Sequence, residues 1–193
     1  GLPPQPVPAE EMKAYVRKGK SGAVLVGSHV KKTTEQLQQL LQQPGVKGIE
    51  VDVSKIAKQR ADLLASIVST VEVMHAQNIT PVIYTSRTEL QFDNQQARLA
   101  FGEKVSQFLM DVVRNLPATI GFLISKGGIT SNDVLSDGLA LKTSRVVGQI
   151  LAGCSVVKCP EDHPQYPDLP VVIFPGNVGD ENALATVYQR LVS

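Results

Sequence analysis

The chain has 193 residues, 42% of them hydrophobic, enough to bury a substantial core within one domain. A net charge of +1, no Trp and only 5% aromatic residues leave neither a basic stripe nor a base-stacking platform for nucleic acid. No apolar run approaches the roughly 20 residues of a membrane span, so no membrane partner is expected either.

The first eight residues are proline-rich and read as a polyproline-II linker of the kind that joins segments of a longer polypeptide. Residues 10–18 suit one or two helical turns, so residues 1–20 are expected to be linker and lead-in helix and 21–193 the domain proper. From there strands and helices alternate. Residues 23–27 form an apolar strand, and Thr33 or Thr34 can cap a helix carrying Leu37, Leu40 and Leu41. Residues 46–53 are a second strand, with Glu50 and Asp52 alternating with apolar positions, and Asp52 is placed to cap the turn at Ser54. Leu64, Ile67, Val68, Val71 and Met74 recur at helical spacing, and His75 sits beside that stripe as a structural histidine. Residues 81–84 are the third strand. Phe101, Val105, Phe108, Leu109, Val112 and Leu116 mark the next helix.

Residues 120–124 are the fourth strand, ending in Ser125-Lys126-Gly127-Gly128. Thr130, Ser131, Asn132 and Asp133 are capping residues for a helix entered at Val134. Residues 145–151 and 156–158 are less regular, as short strands or an antiparallel extension, and 162–169 are loop. Residues 170–174 are a last strand, followed from Asp180 by a helix burying Leu184, Val187, Tyr188 and Leu191. The expected architecture is α/β: a three-layer, mainly parallel sheet with helices on both faces and an irregular or mixed C-terminal portion. Cys154 and Cys159 have no partner cluster for zinc, and reduced thiols in a cytoplasmic protein suit them.

In such sheets ligands bind beyond the carboxyl ends of the strands. Those ends read Gly27-Ser28-His29, Asp52-Val53-Ser54, Thr85-Ser86-Arg87, Ser125-Lys126-Gly127-Gly128 and Pro175-Gly176-Asn177-Val178-Gly179. Small residues, hydroxyls and free backbone N–H groups suit a polyphosphate anion. Lys126 reads either as a point charge for phosphate or as a solvated surface lysine. His29 is a candidate to line the cleft. Neither a P-loop nor a G-x-G-x-x-G fingerprint is present, so a P-loop NTPase and an ordinary dinucleotide dehydrogenase are disfavoured. No Ser-His-Asp arrangement emerges, and the catalytic residues stay unassigned.

Three segments, Val26-Gly27-Ser28 through Gln36, Ser125 through Ser131 and Phe174 through Asp180, together with Val147 through Gly153, are similar in order and spacing to the four-carbon acid sugar kinase family, formerly a family of unknown function. The resemblance runs over residues 23–193 and corresponds to that family's C-terminal, nucleotide-binding domain. It implies ATP-dependent phosphorylation of the terminal hydroxyl of a threonate, erythronate or 3-oxo-tetronate. The nucleotide contacts it implies are Ser28, Gly127, Gly128, Ile129, Thr130 and Gly176, with Asn177 and Gly179 in the same loop. Mg²⁺ is expected to arrive with ATP, held by phosphates and water rather than by a protein cage. Many members carry an acidic residue where Ile129 stands, and a Lys- and Ser-containing lead-in where this chain has Phe174-Pro175. The family's N-terminal, acceptor-binding domain is not represented, so this chain is expected to be inactive alone. A homo-oligomer stays open. A sugar-phosphate isomerase and a non-catalytic module for a phosphorylated metabolite are the alternatives.

Overall fold

The computed structural model describes residues 5–192. Its seven strands are β1 (Ala23–Val26), β2 (Val46–Val51), β3 (Thr80–Thr85), β4 (Leu123–Lys126), β5 (Arg145–Leu151), β6 (Cys154–Lys158) and β7 (Pro170–Phe174). They form one sheet in the order β2-β3-β1-β4-β7-β6-β5. The five strands from β2 to β7 run parallel. β6 lies antiparallel to β7 and β5 antiparallel to β6, so the irregular segment expected after residue 139 is the mixed end of the sheet.

Alternation divides the core. Val24 and Val26 of β1, with Ile124, Val172 and Phe174, pack under α1 (Ala9–Tyr15), α2 (Lys31–Leu41) and α6 (Ala183–Val192). Ala23 and Leu25, with Leu123 and Val171, pack on the other face under α3 (Ile56–Ala76) and α4 (Gln95–Arg114). All four residues of β1 are buried, as expected for a central strand covered on both faces. The helical stripes behave as their spacing predicts: Ile67, Val71 and Met74 of α3, and Leu184, Val187, Tyr188 and Leu191 of α6, are all buried.

Several boundaries differ from the sequence reading. α2 begins at Lys31, and Thr33 lies inside its first turn, fully buried rather than capping. The helix after β4 starts at once: α5 (Gly128–Asp133) follows Gly127 directly and passes into a wide π-type turn, Val134–Gly138. Thr130 to Asp133 are therefore helical rather than a cap ahead of Val134. Asp52, in contrast, caps as expected, its Oδ1 accepting from the Ser54 N–H at 3.1 Å and the Ser54 hydroxyl at 2.6 Å.

Residues 1–4 of the proline-rich start lie outside the described residues. The segment from Val7 to Arg17 is tied to the domain. The Val7 N–H donates to the Gln149 carbonyl at 2.7 Å. Met12 of α1 is wholly buried, and the Arg17 guanidinium donates to the carbonyls of Ala118 (2.6 Å), Ile120 (2.6 Å) and Pro167 (3.1 Å).

Candidate functional site

The chain leaves β1 through α2 toward the β2 edge, and leaves β4 toward β7 on the opposite side. Neighbouring strands whose connections depart in opposite directions open a crevice at their carboxyl ends. Three loops meet there. The Gly27 N–H donates to the Lys126 carbonyl at 3.2 Å, and the Gly127 N–H to the Phe174 carbonyl at 2.8 Å, so the ends of β1, β4 and β7 are joined in series.

Ser28 is the centre of this cluster. A Cβ on Gly127 would stand 3.2 Å from the Ser28 Cβ, and one on Gly176 would stand 3.3 Å from the Ser28 Oγ. Glycine keeps the space clear around the Ser28 hydroxyl at Gly176 and around the Ser28 backbone and Cβ at Gly127. Gly127 also needs its residue type for conformation, because its φ of +119° is one that side chains disfavour. The Ser28 Oγ accepts from the Thr33 hydroxyl at 3.0 Å and from the Val30 N–H at 3.4 Å. While the single Thr33 proton goes to Ser28 rather than to the Gly176 carbonyl, the Ser28 proton has no acceptor among the described residues and can go to an external one.

Lys126 is neither of the two things expected from sequence. It is wholly buried, and its ammonium donates to the carbonyls of Pro175 (2.8 Å) and Gly176 (3.2 Å) while lying 4.1 Å from the centre of the Phe174 ring. It staples the end of β4 to the loop after β7. Burial, the largest influence, lowers its pKa from 10.5 to about 8, with Lys32 adding to the effect and Cys154 opposing it.

α2 supplies side chains that the sequence reading missed. Gln36, fully buried, donates from Nε2 to the Val178 (3.0 Å) and Asp180 (2.8 Å) carbonyls. Thr33 also reaches the Gly176 carbonyl at 3.3 Å, and Lys32 donates to the Asn177 carbonyl at 3.2 Å. Their sequence signal was slight, a Lys-Thr and a Gln inside an otherwise ordinary amphipathic helix.

The remaining expected residues divide. Gly128, Ile129 and Thr130 form the first turn of α5 directly after Gly127, and their side chains lie outside the described residues. Asn177 is exposed in the loop after β7. At Gly179, with φ +79°, a Cβ would stand 2.4 Å from the Ala183 Cβ, so the residue type here serves the entry to α6.

Beside the cluster, between the β1 loop, residues 87–95 and α4, lies an open cleft of about 1390 Å³. His29 lines it as expected, its Nε2 2.9 Å from the Thr85 hydroxyl. Burial and then the neighbouring Arg87 charge lower the His29 pKa, which keeps the imidazole neutral at pH 7. Arg98 and Phe101 of α4 face the same space. The arrangement can bind an anion at the loops and a larger group in the cleft. Among the described residues no cluster of three or more His, Cys, Asp or Glu side chains could hold a metal, and no helix is long and apolar enough to cross a membrane.

A family model described as "Nucleotide-binding C-terminal domain" matches residues 23–184. No curated protein matches the chain. Among solved structures, a domain of unknown function from Bordetella bronchiseptica, crystallised with bound citrate as a domain-swapped dimer, aligns over 95% of this chain and 43% of its own, at 16% identity and a TM-score of 0.73. A proposed tRNA synthase from Salmonella typhimurium LT2 aligns over 91% of this chain and 42% of its own, at 19% identity and a TM-score of 0.66. At those identities the likeness shows the fold, and the chain spans less than half the length of either protein.

Proposed function

The chain belongs to the family of nucleotide-binding C-terminal domains, and we propose that it is the ATP-binding part of a kinase that phosphorylates a four-carbon sugar acid at its terminal hydroxyl. The observation that carries this reading is the convergence of Ser28, Gly127 and Gly176 at the ends of three adjoining parallel strands. Two glycines leave room for a phosphate to approach, and Ser28 has a proton to give it. The resemblance to the acid sugar kinase family rests on the same three loops.

Mg²⁺ fits this site in one way. With no protein cluster of carboxylates or imidazoles among the described residues, it would be held by phosphate oxygens and water. There it would supply charge to the transferring phosphoryl group. The chain's own part is to position the nucleotide. The acid, a threonate, erythronate or 3-oxo-tetronate, would be held by a further domain, because phosphoryl transfer depends on placing both reactants.

A thermal-shift panel tests the reading. A ligand at 100 times its Kd stabilises by about 2.7 kcal/mol, so ATP or ADP with Mg²⁺ should raise the Tm while NAD and sugar phosphates do not. A response to sugar phosphates alone would replace the kinase reading with a phosphosugar-binding one. ADP release that depends on threonate or erythronate, from these 193 residues alone, would place the acceptor site within this chain.

A further inference from the structure

Arg87 stands just beyond β3, where its guanidinium joins the loop cluster to the cleft. Nη1 donates to the Ser28 carbonyl. Nε and Nη2 are buried and have no hydrogen-bond partner among the described residues. Buried charged donors without an acceptor are costly, and native structures rarely keep them without a reason. The described surroundings supply no acceptor. Glu50 and Tyr84 influence the Arg87 charge through space, but no ion pair within 4.0 Å involves Arg87 among the described residues. Glu89 is the one carboxylate in the cleft lining, against the two arginines 87 and 98. The His29 pKa is lowered by burial and then by the Arg87 charge, so the imidazole adds no positive charge of its own at pH 7.

The two unused nitrogens form one edge of a planar fork. Parallel N–H donors on that edge match two oxygens of a phosphate or carboxylate, a pairing a lysine cannot reproduce. The same group grips the backbone of Ser28, whose hydroxyl proton is free for an acceptor. We propose that Arg87 is an anion ligand of the site, taking two oxygens of a bound nucleotide's phosphate on Nε and Nη2 while Nη1 holds Ser28 in place. The identity of that phosphate rests on the nucleotide reading; the anion site itself does not.

The test is calorimetric titration of the parent chain, Arg87→Met and Arg87→Lys with three probes: ATP with Mg²⁺, inorganic pyrophosphate and adenosine. Arg87→Met should weaken ATP and pyrophosphate at least tenfold, about 1.4 kcal/mol, and leave adenosine unchanged. Arg87→Lys keeps the charge but not the fork, and should stay several-fold weaker than the parent. It also carries the test if the methionine variant fails to fold. Unchanged ATP and pyrophosphate affinity in Arg87→Met would show that Arg87 takes no part in binding the anion, full recovery in Arg87→Lys would show that its fork takes no pair of oxygens, and either would overturn the proposal. Arg87-dependent binding of pyrophosphate by a parent that ignores ATP would sink the nucleotide reading and keep the anion site. A parent binding neither ATP nor pyrophosphate would overturn both.

Discussion

Lys126 occupies a position that strand alternation reserves for an apolar side chain. It pairs in register with Val26 and Phe174, both wholly buried. Two carbonyls and an aromatic face receive its ammonium, but burial still dominates and lowers its pKa from 10.5 to about 8. Between those values the unfolded chain binds the proton and the folded chain does not, so this site adds stability as pH rises. Lys126→Met removes that dependence. Urea midpoints at pH 7.5 and pH 10 should show the parent gaining on the variant; a parent that loses ground would mean the carbonyls and ring hold the charged form. Gly176 gives a second prediction at this scale. Its φ is ordinary, and the nearest atom to an added Cβ is the Ser28 Oγ at 3.3 Å, with the next at 3.9 Å. Gly176→Val should therefore melt within about 1 kcal/mol of the parent, as surface and loop changes usually do, yet block phosphate approach to Ser28 and weaken ATP at least tenfold. A variant that folds and binds ATP like the parent would remove Gly176 from the site. Gly127 is different, because its φ of +119° adds backbone strain of about 1–3 kcal/mol to any substitution.

At the scale of elements, the loops are held by contacts with distant helices rather than by their own sequence. Gln36 of α2 fixes the loop after β7 through two carbonyls, and Tyr166 fixes the loop before β7 by donating to the carbonyls of Val113 (2.7 Å) and Leu116 (2.9 Å) at the end of α4. Tyr166→Phe removes this donor while the Val113 carbonyl keeps the Leu116 N–H (3.3 Å) and the Leu116 carbonyl keeps Gln165 Nε2 (3.4 Å), so it should cost about 0.5–1.5 kcal/mol, read as a lower Tm; no change would show that the hydroxyl does not hold this loop. α4 is set by Asn94, whose Oδ1 accepts from the Ala97 N–H at 2.8 Å. Asn94→Ala should cost about 1 kcal/mol by chemical denaturation. Because α4 forms one wall of the cleft, the same variant tests whether that wall matters for ligand affinity.

For the whole molecule, the buried ionisable groups oppose one another. Burial raises Cys154 from 9.0 to about 12 and Cys159 from 9.0 to about 11. Above pH 9 the unfolded thiols ionise first and stability falls, whereas Lys126 raises it from about pH 8. Stability should peak near about pH 9 and decline beyond it. Cys159→Ala should make the decline shallower; an identical alkaline limb in parent and variant would contradict the thiol assignment. The sheet's parallel strands and covering helices were legible in the sequence, because continuous apolar runs such as 23–26 and helical stripes such as Ile67-Val71-Met74 follow from burial on two faces. The meeting of Ser28, Gly127 and Gly176 was legible as a set of strand ends. Lys126 and Gln36 were not, since a buried cation and a buried amide are set by carbonyls 49 and more than 140 residues away in the chain. The residue type at Gly179 follows from the turn into α6, where its close neighbour is Ala183. The central claim is that this loop cluster is a nucleotide-phosphate site, and the most direct measurement is calorimetric titration of the parent and Gly176→Val with ATP and Mg²⁺. Saturable binding by the parent that falls at least tenfold in a variant of unchanged Tm is the predicted result. Equal affinity in the two proteins, or no heat of binding in the parent, would contradict it.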